Sequence, residues 1–150
     1  MTGWRRPEEV AVVVRRPGAE GAEYLVLLRA PEQQGYWHLV AGGVEWGEEA
    51  PAAAARELQE EVGLAVEVVD LGLPLSYPLA DEPDAVRSRF APGTERVALS
   101  LYLATAPAGW EPVLDHEHVE YRWLPSGEAV ELLFWPEPKQ AVRAAAERPL

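Results

Sequence analysis

The chain predicts an α+β or α/β domain in which a sheet lies between helices. Three observations carry this: short β-branched runs, helix-forming segments interleaved with them, and an apolar fraction of 48% that can fill a core. At 150 residues one domain, 1–150, is the expected organisation. Residues 10–15 form a β-branched run, expected as a buried strand. The segment RPGAEGAE, 16–23, reads as a turn and 24–28 as the returning strand of a hairpin. A polar loop over 30–35 precedes a further strand at 37–41. Ala50–Val62 has helical propensity, tolerates Pro51 in its first turn, and is followed by Gly63 as the terminating residue. Residues 64–71 are apolar and β-branched, whereas 73–93 are rich in Pro and Asp and read as an irregular excursion. Residues 97–104 are a strong strand, 121–124 a short one, and 126–133 and 137–148 close the chain as helices, with Ser126 as a cap.

Composition bounds the function. The formal net charge of −12 opposes general binding to a nucleic-acid backbone, which rewards clustered Lys and Arg. It permits a small anionic substrate whose site is neutralised by metal ions. The apolar runs are far too short to span a membrane, and 1–7 carries Trp4, Arg5 and Arg6 without an apolar leader core. The chain has no cysteine, so disulfides and thiolate metal sites are absent and a reducing cytoplasm is the expected compartment.

One stretch concentrates charge. In GGVEWGEEAPAAAARELQEEVGL, 42–64, the helix segment ends with Arg56, Glu57, Glu60 and Glu61 close together. On a helix the three glutamates are related by i, i+3 and i+4 and share a face, with Cβ atoms roughly 5–6 Å apart. Arg56 offsets part of their repulsion by pairing with Glu60. Such a cluster is either a solvated acidic face or a cage for a hard divalent cation such as Mg²⁺. Gly42 and Gly43 allow close backbone approach just before the helix, and Glu48 adds a carboxylate at the junction.

The spacing Gly42, five residues, Glu48, seven residues, Arg56-Glu57-Leu58-Gln59-Glu60-Glu61-Val62-Gly63-Leu64 resembles the Nudix box at each defining position. The resemblance implies the Nudix fold, an α+β (α/β/α) sandwich with a mixed β-sheet between helices and a loop–helix–loop metal site. It implies an enzyme that cleaves a diphosphate linkage with Mg²⁺ or Mn²⁺. Glu57, Glu60 and Glu61 would be metal ligands, the carbonyl of Ala41 a further ligand, Arg56 the residue that orients the glutamates, and Glu48 a support behind them. The chemistry suits these types, because phosphate oxygens repel a nucleophile until cations neutralise them.

Flanking segments YWHLVAGGVEWGE (36–48), FAPGTERVALSLYLATAP (90–107), EHVEYRWL (117–124) and PKQAVRAAAE (138–147) resemble the bacterial dihydroneopterin triphosphate diphosphatase subgroup. EHVEYRWL is also similar to diadenosine polyphosphate hydrolases. The implied reaction releases pyrophosphate and a monophosphate from a pterin or nucleoside triphosphate; diadenosine polyphosphates, ADP-ribose, or a non-catalytic ligand-sensing role are the alternatives. Glu117 stands where relatives have a glutamate that binds metal or acts as base, the alternative being an exposed loop residue. His118 reads as structural and His116 as a bystander. Arg29 resembles arginines that meet phosphate, with a surface ion pair as the alternative. Arg87, Arg89 and Arg96 are further phosphate candidates. Trp37 and Trp46 flank the box loop and either stack on a substrate ring or pack in the core. The expected partner is a small phosphorylated molecule, with neither nucleic-acid polymer nor membrane; a homodimer stays open.

Overall fold

The computed structural model describes residues 3–150, so the first two residues of the segment read as lacking a leader lie outside the described residues. Strand β1 (Glu8–Gly18) is central. It turns at its far end into β2 (Gly21–Arg29), with Gly18 opposite Gly21, so the turn expected over 16–23 is confined to Ala19 and Glu20 and the rest of that segment pairs as strand. The two strands pair only over the distal part of β1, from Arg15 to Gly18. Farther down they part. The chain then lays β3 (Trp37–His38) along β2 and, after buried Leu39, β4 (Val40–Gly43) along Glu9–Val12 of β1. The single strand expected at 37–41 is therefore two short strands on different neighbours. That crossing delivers Ala41–Gly43 to the place where β1 and β2 diverge.

Helix α1 (Ala50–Val62) follows, with the bounds expected from sequence. Its alanine run has high helical propensity. It ends because Gly63 adopts φ 77° and donates its N–H to the Gln59 carbonyl at 3.0 Å, a left-handed conformation that suits a residue without Cβ. The rest of the order is β5 (Val69–Asp70), β6 (Leu75–Pro78), short helix α2 (Asp84–Arg87), β7 (Arg96–Thr105), β8 (His118–Leu124), α3 (Ser126–Leu132) and α4 (Pro136–Ala146). Strand β7 lies parallel to β1 over Glu8–Arg15, β8 lies antiparallel to β2, and β5 and β6 pair with β7, so the sheet is mixed.

The run 10–14 is apolar without alternation because β1 is covered on both faces. Val10, Val12 and Val14 pack with Ala53, Ala54, Leu58 and Val62 of α1. Ala11 and Val13 face Ala129, Leu133, Ala141, Val142 and Ala145 around α3 and α4. Burying a side chain such as Leu58, which is fully buried, contributes about 1.5–3 kcal/mol. Among the described residues no helix is long and apolar enough to cross a membrane.

Three local expectations are corrected. Residues 73–93 are not wholly irregular: β6 forms there because the edge of β7 offers it partners from Arg96 to Leu99, a long-range pairing. In 64–71 only Val69–Asp70 pairs as strand. Ser126 is the first residue of α3 rather than its cap; Pro125 precedes it and no side chain caps the helix.

Candidate active site

Two elements build the acidic end of the site. Glu57 and Glu61 lie four residues apart on the face of α1 that meets β4. Glu61 is 4% exposed, and Ala41 donates its N–H to Glu61 Oε1 at 3.3 Å. The two carboxyls adjoin one another. Burial pushes both above the usual carboxylate range, and for Glu61 the neighbouring Glu57 pushes further. Gly42 is required here, although not for an unusual φ. A Cβ at Gly42 would land on the carboxylate of Glu57, so a glycine makes the space that this side chain fills. At Gly43 the same atom would strike the Arg5 guanidinium.

Glu60 goes elsewhere. Its side chain is 58% exposed and meets Arg56 Nη1 at 3.3 Å. Arg56 also donates to Glu57 Oε1 at 2.8 Å, to both oxygens of Glu48 at 2.8 and 2.9 Å, and to the Gly43 carbonyl at 3.1 Å. Arg56 therefore joins the loop before α1 to the glutamates within it. Its hydrogen bond holds the Glu48 carboxyl down at about 2. A backbone N–H from Glu45 adds to this, donating to Glu48 Oε1 at 3.0 Å.

The family that the box resembles implies a divalent cation, and the donor set suits one. Two abutting carboxylates, one buried and one partly buried, repel when both are ionised, and a hard cation between them would relieve both the repulsion and the burial cost. Among the described residues no three acidic or histidine side chains converge. Mg²⁺ does not need three, since it is commonly held by one or two carboxylates, with waters and substrate phosphates completing its shell.

Beyond the glutamates lies a cleft of about 330 Å³. Its walls bring together residues distant in sequence: Arg5, Arg29 and Arg89, aromatic Tyr36, Tyr77 and Trp135, and the carboxylates Glu9, Glu82 and Glu117. Arg29 is held by the Gln33 carbonyl at 3.0 Å and Oε1 at 3.2 Å, with its guanidinium 5.4 Å from the Tyr36 ring. Arg89 is exposed, and its side chain makes no hydrogen bond or ion pair among the described residues. Glu117 lies in the turn just before β8, with its carbonyl accepting from Ala30 N–H at 2.8 Å. His38 also lines the cleft. Burial first, then Arg29 and His118, lower its pKa to about 3, so it is a neutral imidazole.

Several sequence candidates fall outside the cleft. Trp37 does not line it: its neighbours Tyr36 and His38 do, and alternation along the strand turns the Trp37 ring to the opposite face, where Arg122 lies 4.8 Å from it. Arg96 opens β7 opposite Pro78 of β6, exposed and donating to Ser76 Oγ at 2.8 Å. Arg87 pairs with Asp84 on its own short helix. Trp46 is exposed and donates its indole N–H to the Trp4 carbonyl at 2.7 Å. Sequence reading missed Arg5, Tyr36, His38, Tyr77 and Trp135. Period-two alternation from Trp37 was a usable signal for Tyr36 and His38; Arg5, Tyr77 and Trp135 carried none.

A mixed sheet between helices, with adjoining glutamates against a β-strand and a cleft beside them that sets three arginines among carboxylates, suits a protein that handles phosphates through a cation. The chain belongs to the Nudix family, whose NUDIX domain model matches residues 5–145, and is a hydrolase of that family. It is 30% identical over 134 residues to dihydroneopterin triphosphate diphosphatase of Escherichia coli strain K12, covering 86% of this chain and 85% of that protein. It is 31% identical over 139 residues to an RNA pyrophosphohydrolase of Roseobacter denitrificans, covering 83% and 86%. The solved structure of the E. coli dihydroneopterin triphosphate pyrophosphohydrolase superposes with a TM-score of 0.78 at 30% identity, over 93% of this chain and 94% of that one.

Proposed function

We propose that this chain, as one catalytic domain, hydrolyses a pterin or nucleoside triphosphate to a monophosphate and pyrophosphate, with Mg²⁺ or Mn²⁺. The observation that carries the reading is the juxtaposition, in one cleft, of the adjoining Glu57 and Glu61 with Arg5, Arg29 and Arg89. Glu57 and Glu61, with Glu60 and the backbone at Ala41, are the groups assigned to hold the cation. Mg²⁺ or Mn²⁺ held there supplies charge neutralisation and Lewis acidity at phosphate oxygens.

The chain's own residues do the rest. Arg56 fixes the Glu57 carboxylate through Nη1 and ties it to Glu48. Arg29 and Arg89, with Arg5, present guanidinium groups to a polyphosphate, the geometry that suits bidentate contact with phosphate oxygens. Glu117 is the further carboxylate on the cleft wall, as ligand or base. Tyr36 and Trp135, whose rings meet edge-to-face at 6.0 Å, take the place first considered for Trp37 as the surface against which the substrate ring lies. The similarity to a dihydroneopterin triphosphate diphosphatase supports a triphosphate substrate.

The test is hydrolysis of dihydroneopterin triphosphate and nucleoside triphosphates in ¹⁸O-water with Mg²⁺, the products being identified by mass. Pyrophosphate and a monophosphate are expected as first products. Orthophosphate and a diphosphate as first products would overturn the reading.

A further inference from the structure

Behind Glu61 stands a side chain that the reading above does not use. His118, the first residue of β8, has a side chain only 1% exposed. Its Nδ1 lies 2.8 Å from Asp115 Oδ1. An ionised carboxylate accepts only, so Nδ1 carries the hydrogen and donates it. The ring is thereby oriented with Nε2 toward Glu61 Oε1 at 3.8 Å. Nε2 is buried and has no hydrogen-bond partner. Buried polar atoms are rarely left without one, which marks this nitrogen as aimed at the neighbouring carboxylate.

The surrounding contacts close a circuit. Asp115 donates its backbone N–H to the Glu61 carbonyl at 3.3 Å while its carboxylate holds His118. Glu117 donates its N–H to the same Asp115 Oδ1 at 3.2 Å. Residues 115–118 thus grip the end of α1 at its backbone and its carboxylate together. Glu61 Oε1 is met by the Ala41 N–H from the sheet and by the His118 ring from the loop. A glutamate side chain has three torsions; the Ala41 N–H bonds one oxygen and the His118 ring, at 3.8 Å, bounds the space on its other side, which narrows that freedom before any ligand arrives.

We propose that His118, held by Asp115, is a positioning residue that fixes the Glu61 carboxylate for divalent-cation binding. The inference rests on the assignment of Glu61 as a cation ligand. Groups behind ligating side chains commonly change metal affinity about 10–100-fold when replaced.

The experiment is calorimetric titration of Mn²⁺ into the whole chain and into His118→Phe, His118→Gln and Asp115→Ala, each checked for folding by a melt without metal. His118→Phe fills the space without the nitrogen and should bind Mn²⁺ about 10–100-fold more weakly. His118→Gln, whose amide reaches toward the position of Nε2, should recover part of that loss. In the hydrolysis assay at saturating Mn²⁺, kcat should fall while the KM for triphosphate changes little. Wild-type Mn²⁺ affinity in His118→Phe would overturn the inference and make the ring mere packing. If that variant does not fold, Asp115→Ala decides in the same way: weaker binding supports the inference, and unchanged binding overturns it. Variants that match a wild-type chain able to bind Mn²⁺ defeat only the role of His118. A wild-type chain that binds no Mn²⁺ defeats this inference and the cation site together.

Discussion

The two sides of α1 hold similar charges in opposite circumstances. On the side facing β4, buried Glu61 abuts the partly buried Glu57, and among the described residues no Lys or Arg pairs with Glu61. On the side facing the preceding loop, Glu48 and Glu60 gather with Glu57 Oε1 around the single guanidinium of Arg56. The first arrangement leaves carboxylates wanting a cation, and the second is satisfied internally. A run of charges in sequence therefore says little about electrostatic cost until each carboxylate's neighbour is known. Here Arg56 stabilises the scaffold and holds Glu57 from one side, while Glu61, which no guanidinium meets, is left with Glu57 for the ligand.

The comparison breaks most severely if the buried side loses a charge. Glu57→Gln keeps the shape and is expected to lower kcat by roughly 10³-fold, several kcal/mol of lost transition-state stabilisation. The matched Glu60→Gln should fall by a similar order, which would mean that the exposed carboxylate swings to the cation when it binds. Steady-state kinetics of the two variants decide this, and near-wild-type turnover in Glu60→Gln would leave the buried pair acting alone.

Gly42→Ala attacks the same side without altering charge. The added Cβ occupies the place of the Glu57 carboxylate. A stability loss of about 1–3 kcal/mol is expected from overpacking, together with weaker Mn²⁺ binding. Denaturant melts and calorimetry measure both; unchanged values would show that Glu57 has another place to go.

Arg56→Lys sharpens the satisfied side. A lysine keeps the charge but cannot span both Glu48 oxygens, Glu57 and the Gly43 carbonyl, so a loss of about 1–2 kcal/mol is expected. Thermal unfolding should register it as a drop of a few degrees.

The smallest effect concerns acid. The pKa of Glu48 is depressed from 4.5 to about 2, chiefly by its hydrogen bonds to Arg56. Its stabilisation is therefore present above 4.5 and lost as pH falls through about 2. Urea melts of wild type and Glu48→Gln should differ at pH 7 and converge as the pH drops across that window. A difference that stays constant through the same range would mean that Glu48 contributes by shape rather than charge.

Local chemistry decided part of this protein before folding. Ala50–Val62 is a helix with the expected ends because alanine propensity, an early proline and a terminal glycine act within a few residues of chain. The shared face of Glu57 and Glu61 follows from the helix repeat alone, and the β-branched run 10–15 announced a buried strand. The remaining features needed distant partners. Strand β6 exists because β7 lies beside it, and Trp37 faces away from the cleft because β3 pairs with β2 in one register. A shift of one residue would have exchanged Trp37 and His38. Arg5, Tyr77 and Trp135 enter the cleft from three distant segments, and Glu61 gains its lining from Ala41 and His118. The sequence by itself determined the helix, its glutamates and their spacing, since these depend on backbone geometry repeated every few residues. Which carboxylates were buried, which were paired, and what stands opposite them was decided only by tertiary structure, because charge interactions depend on distances that the chain sets when it closes.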